Sequence, residues 1–167
     1  LEQLKPMCSE IIIFGSQGVG APDAKDWDVM LITDADPQFQ ISSERIRPTA
    51  GGLNYRFDLV DIVVVTTAQT EDPAWLGWEL AGHVARYGLW AHGERGVWTK
   101  KTFVDPRWLT VQAGRISAQW QAYRRSRSLL SPVQRERQRT KIRQAIRRLR
   151  YLRAGQAVPP HSILDTV

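Results

Sequence analysis

Thiols are almost absent from this chain, in which Cys8 is the single cysteine. One cysteine excludes an internal disulfide and suits a reducing, intracellular setting. With nothing beside it in sequence to lower a thiol pKa, Cys8 reads as a small buried apolar residue rather than a nucleophile. Long apolar runs are missing too. None approaches the roughly 18 residues of a membrane span, and the longest, Ile11–Phe14 and Ile62–Val65, have the length of buried strands. Leu1–Glu10 carries charges and lacks the apolar stretch of a secretory signal. The first residue is Leu rather than Met, which leaves room for sequence ahead of it. A cytoplasmic protein with no membrane partner is expected. His83, His92 and His161 are the only histidines and form no metal-ligand spacing, so they read as structural or exposed.

Acids are scarce in one place only. Residues 1–114 hold ten Lys/Arg against fifteen Asp/Glu, a balance of −5; residues 115–153 hold thirteen Lys/Arg against one acid, Glu136, a balance of +12. The net charge of +6 over 167 residues therefore describes one segment rather than the whole. A chain of this length that is 43% hydrophobic is enough for one catalytic domain with a real core and a helical annex. The boundaries expected are a core over 1–100 and a basic helical region over 101–167.

Along the front half, apolar runs alternate with turns. Glu10–Phe14 and Trp27–Thr33 read as strands, with a glycine-rich stretch, Gly15–Ala21, between them. Asp34–Pro37 reads as a turn, and Ser42–Arg47 as a helical turn capped by Ser42 or Ser43 and closed by Pro48. Gly51-Gly52 marks a reversal before Tyr55–Val65, the longest strand candidate. Pro73 suits the first turn of a helix reaching about Tyr87, with Trp75 and Trp78 on its packed face. Leu89–Ala91 returns as a short strand. This order predicts an α+β fold with a small mixed sheet. From Pro106 onward, Ile116, Trp120 and Tyr123, then Ile142, Ile146, Leu149 and Leu152, recur at helical spacing. Ser131-Pro132 separates two helices, and Gly155 with Pro159-Pro160 stops the second.

The chemistry is concentrated in Ile11–Ile32. Asp26 and Asp28 are two apart at the start of a strand, so both carboxylates point to one face. Two acids held so close repel, and a cation is the usual remedy. Oxygen-only ligands suit Mg²⁺, which takes one or two carboxylates and completes its shell with phosphates and water. Gly15-Ser16, directly after a strand, lets the backbone approach an anion closely. Lys25 lies near enough in sequence to touch a phosphate, although a lysine before a strand is usually surface. A third carboxylate permits two metals. Asp58 is the candidate, a charge in an otherwise apolar strand. Asp61 competes, and three positions along one strand put the two on opposite faces, so only one can join.

Gly15-Ser16, nine intervening residues, and Asp26-Trp27-Asp28-Val29 resemble the signature of the DNA polymerase beta-type nucleotidyltransferase superfamily, and especially its minimal members. The likeness extends through FDLVDI to YGLWAHG, about residues 10–93. Where many minimal members have arginine after Gly-Ser and serine before the first aspartate, this chain has Gln17 and Lys25. The resemblance implies that Gly15 and Ser16 bind the triphosphate of a nucleotide, ATP being the expected one. It implies that Asp26 and Asp28 hold two Mg²⁺ ions, and that Asp58 helps deprotonate an acceptor hydroxyl.

The +12 segment has the footprint of a polyanion-binding face. Arg139, Arg143, Arg147 and Arg150 are its candidate RNA contacts, and an acidic protein partner is the other way to neutralise it. A solvated surface is the bland reading, because arginine stems also cover apolar area. Four functions follow: transfer to RNA, with a transfer-RNA 3′ end as one such acceptor; adenylylation of a protein in a toxin–antitoxin pair; transfer to an aminoglycoside-type cation, which the basic segment disfavours; and a non-catalytic binding module, which has no reason to keep three carboxylates.

Overall fold

The computed structural model describes residues 2–34, 45–49, 52–57 and 59–164, with residues 45–49 and 52–57 described by backbone alone. Six strands form one sheet: β1 (Glu10–Phe14), β2 (Trp27–Thr33), β3 (Arg45–Thr49), β4 (Gly52–Phe57), β5 (Val60–Thr66) and β6 (Leu89–His92). Their order is β3-β4-β5-β2-β1-β6. β2 and β5 run parallel and every other neighbouring pair is antiparallel. The fold is α+β with a mixed sheet, as expected.

β-branched residues at the sheet centre are buried on both faces. Ile12, Met30, Ile32, Val63 and Val65 pack beneath Trp75, Val84 and Trp98, while Ile11, Val29, Leu31, Ile62 and Val64 fill the opposite face. Glu10 is buried at the start of β1. Its carboxylate accepts hydrogen bonds from the indole N–H of Trp90 at 2.7 Å, from that of Trp98 at 3.0 Å, and from the Gly96 amide at 3.2 Å. Three donors satisfy a charge that burial alone makes costly.

Three expectations need correction. Tyr55–Val65 is two strands, not one: Phe57 pairs with Val60, so the chain reverses between them. Apolar residues continue on both sides of the reversal, so composition carries no mark of it. Asp58 lies outside the described residues, as do Ser42, Ser43 and most of Asp34–Pro37. Arg45–Arg47 is strand rather than helical turn; Pro48 is accommodated because β3 is the sheet edge. The helix expected over Pro73–Tyr87 is broken into α2 (Pro73–Leu76) and α3 (Glu79–Tyr87), with Trp78 extended between them. At the break, a side chain on Gly77 would press on Phe103, its Cβ 2.9 Å from Cζ. α1 is the short turn Gly15–Gly18 after β1.

The basic region is a hairpin of two long helices, α4 (Pro106–Ser126) and α5 (Pro132–Arg153). Asp105 caps α4, and Ser131 with Gln134 forms a capping box on α5. Gly155, at φ +68°, ends α5. Beyond it Val158–Pro160 is buried, and a short helix, α6 (His161–Leu164), follows. No described helix is long and apolar enough to cross a membrane.

Candidate active-site cleft

β1 delivers the chain to Gly15, and the antiparallel β1–β2 pairing sets Phe14 opposite Asp28. Gly15 has φ +65°, and a Cβ there would lie 2.2 Å from Asp28 Oδ2. Only glycine meets both demands, so the backbone turn and the carboxylate share one small space. Asp26 precedes β2 and is exposed, whereas Asp28 is half-buried. Gly15, Ser16, Asp26 and Asp28 line one cleft of about 520 Å³. Three of its other walls are Trp78 before α3, Trp108 of α4, and the returning segment Val158–His161.

Two cations face the same space. Arg148 of α5 donates from Nε to Glu79 Oε1 at 3.0 Å. Arg115 of α4 makes no hydrogen bond or ion pair among the described residues. Carboxylates on one wall and guanidinium groups on another suit a ligand with both metal-bound and bare phosphate oxygens.

The amide of Gly15 is not directed at the cleft's solvent: it donates to His83 Nε2 at 3.3 Å. His83 Nδ1 lies 2.7 Å from the Val158 carbonyl, so the Nδ1–H donates and Nε2 accepts. Burial pushes the imidazole below its ordinary value, which keeps this neutral tautomer in place. Ser16 Oγ makes no hydrogen bond among the described residues and remains a donor for a ligand.

Sequence reasoning placed Gly15, Ser16, Asp26 and Asp28, and the structure gathers all four in the cleft. Lys25 is exposed and does not line it. Asp61 stands in register with Asp28 on the neighbouring parallel strand, so both project from the same sheet face. The rule that set Asp58 against Asp61 assumed one continuous strand and does not apply to a hairpin. Among the described residues, no three His, Cys, Asp or Glu side chains are gathered to hold a metal. Asp26 and Asp28 still fit one Mg²⁺ by donor chemistry, because that ion needs only one or two carboxylates when phosphate and water complete its shell.

Arg115, Arg148 and Trp108 escaped the sequence reading; His83, read as structural or exposed, is structural, but its tie to Gly15 was not foreseen. Arg115 and Arg148 were visible only as part of a charge count. His83 is 68 residues from Gly15, and no local pattern links them.

Of the four arginines proposed for RNA, Arg139 donates from Nε to the Tyr123 hydroxyl at 2.9 Å, Arg143 pairs with Glu136, and Arg147 reaches the Leu164 carbonyl. Arg150 is exposed. Around the hairpin tip, Arg124, Arg125, Arg127, Arg135 and Arg137 are exposed and have no hydrogen-bond or ion-pair partner among the described residues.

No protein-family model matches the chain, and no curated protein matches it. Among solved structures it is similar to a nucleotidyltransferase-like protein from Exiguobacterium sibiricum 255-15, at 14% identity and a TM-score of 0.42. The match covers 95% of this chain and 55% of that one, so the chain spans about half the length of its structural neighbour.

Proposed function

We propose that this chain is a nucleotidyltransferase that moves a nucleoside monophosphate from a nucleoside triphosphate, ATP by preference, to a hydroxyl of RNA. The observation that carries the reading is the single cleft shared by Gly15-Ser16, Asp26 and Asp28, with Arg115 and Arg148 on its other side.

The acceptor oxygen bonds to the α-phosphorus as the bond to the β-phosphate bridging oxygen breaks. Pyrophosphate leaves and the acceptor loses its proton. The protein contributes positioning and charge rather than a nucleophile. Ser16 Oγ donates to a phosphate oxygen, Arg115 and Arg148 neutralise the polyphosphate, and Trp78 and Trp108 wall the base from water. Asp26 and Asp28 are the residues that would hold Mg²⁺, which when bound offsets phosphate charge and polarises the α-phosphoryl group. We assign the third carboxylate, which takes the acceptor proton, to Asp61 because of its register with Asp28. Asp58, the choice from sequence, is kept as the competing variant. The hairpin-tip arginines that have no partner among the described residues supply the phosphate contacts for RNA, in preference to Arg139, Arg143 and Arg147, each of which already gives a donor to a group within the protein and keeps others.

The test is transfer of label from each α-labelled nucleoside triphosphate, with Mg²⁺, to total cellular RNA or to lysate protein. Label on a discrete RNA, lost with Asp28→Asn, supports the proposal. Label on protein alone moves the acceptor to a polypeptide. No label on either removes the enzyme reading.

A further inference from the structure

α4 and α5 leave a second, larger groove along the outside of the hairpin, about 670 Å³ in volume. Its floor is Ile116, Trp120, Ile142, Ile146 and Leu149. Trp120 is 47% exposed and Ile146 38%, a large apolar surface to leave in water on helices otherwise rich in arginine. Arg139, Arg143 and Arg153 line it as well, with Glu136 as the one acid. The five floor positions, 142, 146 and 149 against 116 and 120, follow helical steps of three and four, which is the spacing a third helix reads.

We propose that this groove docks an acidic amphipathic helix of a partner protein. The apolar floor takes the partner's apolar stripe, and the arginines pair with carboxylates along its flanks. A second copy of this chain fits poorly, because it would bring two segments with thirteen cations and one acid each into opposition. RNA supplies the charge but no aliphatic stripe to cover Ile142, Ile146 and Leu149. The inference stands apart from nucleotidyl transfer, as it uses none of the cleft residues.

The experiment uses the full chain and three labelled synthetic helices of about twenty residues, about 30 Å long. One carries a leucine stripe at i, i+3, i+4 and i+7 flanked by glutamate; the second replaces glutamate by lysine; the third scrambles the acidic sequence. Fluorescence anisotropy reads binding. The acidic amphipathic peptide is expected to bind at least about tenfold tighter than either control. Ile146→Glu is expected to weaken it by about tenfold or more, and Arg143→Glu with Arg153→Glu to reverse the preference toward the lysine peptide. Circular dichroism and thermal melting confirm that each variant is folded; both Ile146 and the two arginines are exposed, and Trp120→Ala serves as a second probe of the floor. Equal binding of all three peptides overturns the proposal. So does a dimer by light scattering that Ile146→Glu dissolves, which assigns the groove to a second copy. RNA binding that the acidic peptide displaces and Ile146→Glu abolishes overturns it in favour of RNA.

Discussion

The Gly15 amide donates a hydrogen bond to His83 Nε2 at 3.3 Å, and the other ring nitrogen of His83 is held 2.7 Å from the Val158 carbonyl. One neutral imidazole thus joins the end of β1, the middle of α3 and the segment that returns from the helical hairpin. The glycine turn beside Asp28 is held from behind by a side chain that must not be protonated.

Stability should therefore respond to pH through His83. Burial lowers its pKa from the ordinary 6.5, with Arg148 and His161 acting in the same direction, while the Val158 carbonyl and Glu79 oppose it. The rings of Phe14 and Tyr87 pack against it. The unfolded chain accepts a proton that the folded state resists. The contribution is fully present above 6.5 and is lost as pH falls below it toward the folded value. Urea unfolding at about pH 7.5 and about pH 5.5 checks this: the parent should lose more stability on acidification than His83→Gln. Equal losses would remove His83 from the account.

Gly15→Ala should separate folding from function. The positive φ costs about 1–2 kcal/mol for an L residue, and the new Cβ, 2.2 Å from Asp28 Oδ2, forces that carboxylate aside. A folded protein with transfer reduced by about a hundredfold is expected, the scale of a displacement of about 1 Å at a reacting centre. Activity close to that of the parent would show that the position of Asp28 is not critical.

The three acids make an ordered series. Asp28→Asn should reduce transfer by about two to three orders of magnitude without unfolding the chain, and more Mg²⁺ should not restore it. Asp61→Asn should match it in kcat, whereas Asp58→Asn should leave most of the activity. The reverse ranking would return the third position to Asp58.

Arg115→Ala should act on nucleotide binding. Its side chain has no protein partner among the described residues, so removing it leaves no buried charge behind. A charge-assisted hydrogen bond to phosphate is worth about 1.5–3 kcal/mol, so the nucleotide KM should rise by about tenfold or more with thermal stability unchanged. Arg148→Ala differs, because it also strands Glu79, and should lower stability as well. Identical effects of the two variants would contradict this division.

Much of the site was legible locally. Gly15, Ser16, Asp26 and Asp28 fall within one strand–turn–strand, where side-chain alternation and glycine geometry act over a few residues. The strands Glu10–Phe14 and Trp27–Thr33 were readable for the same reason, as were the break at Ser131-Pro132 and the helix stop at Gly155. The reversal between Phe57 and Val60 was not, because apolar residues on both sides of a tight turn carry no mark of direction. Asp61 beside Asp28, His83 behind Gly15, and Arg115 and Arg148 across the cleft depend on which strands pair and where a helical hairpin folds back. Those relations are set by burial of the whole sheet and by the packing of α4 on α5, and no short-range pattern in the chain encodes them.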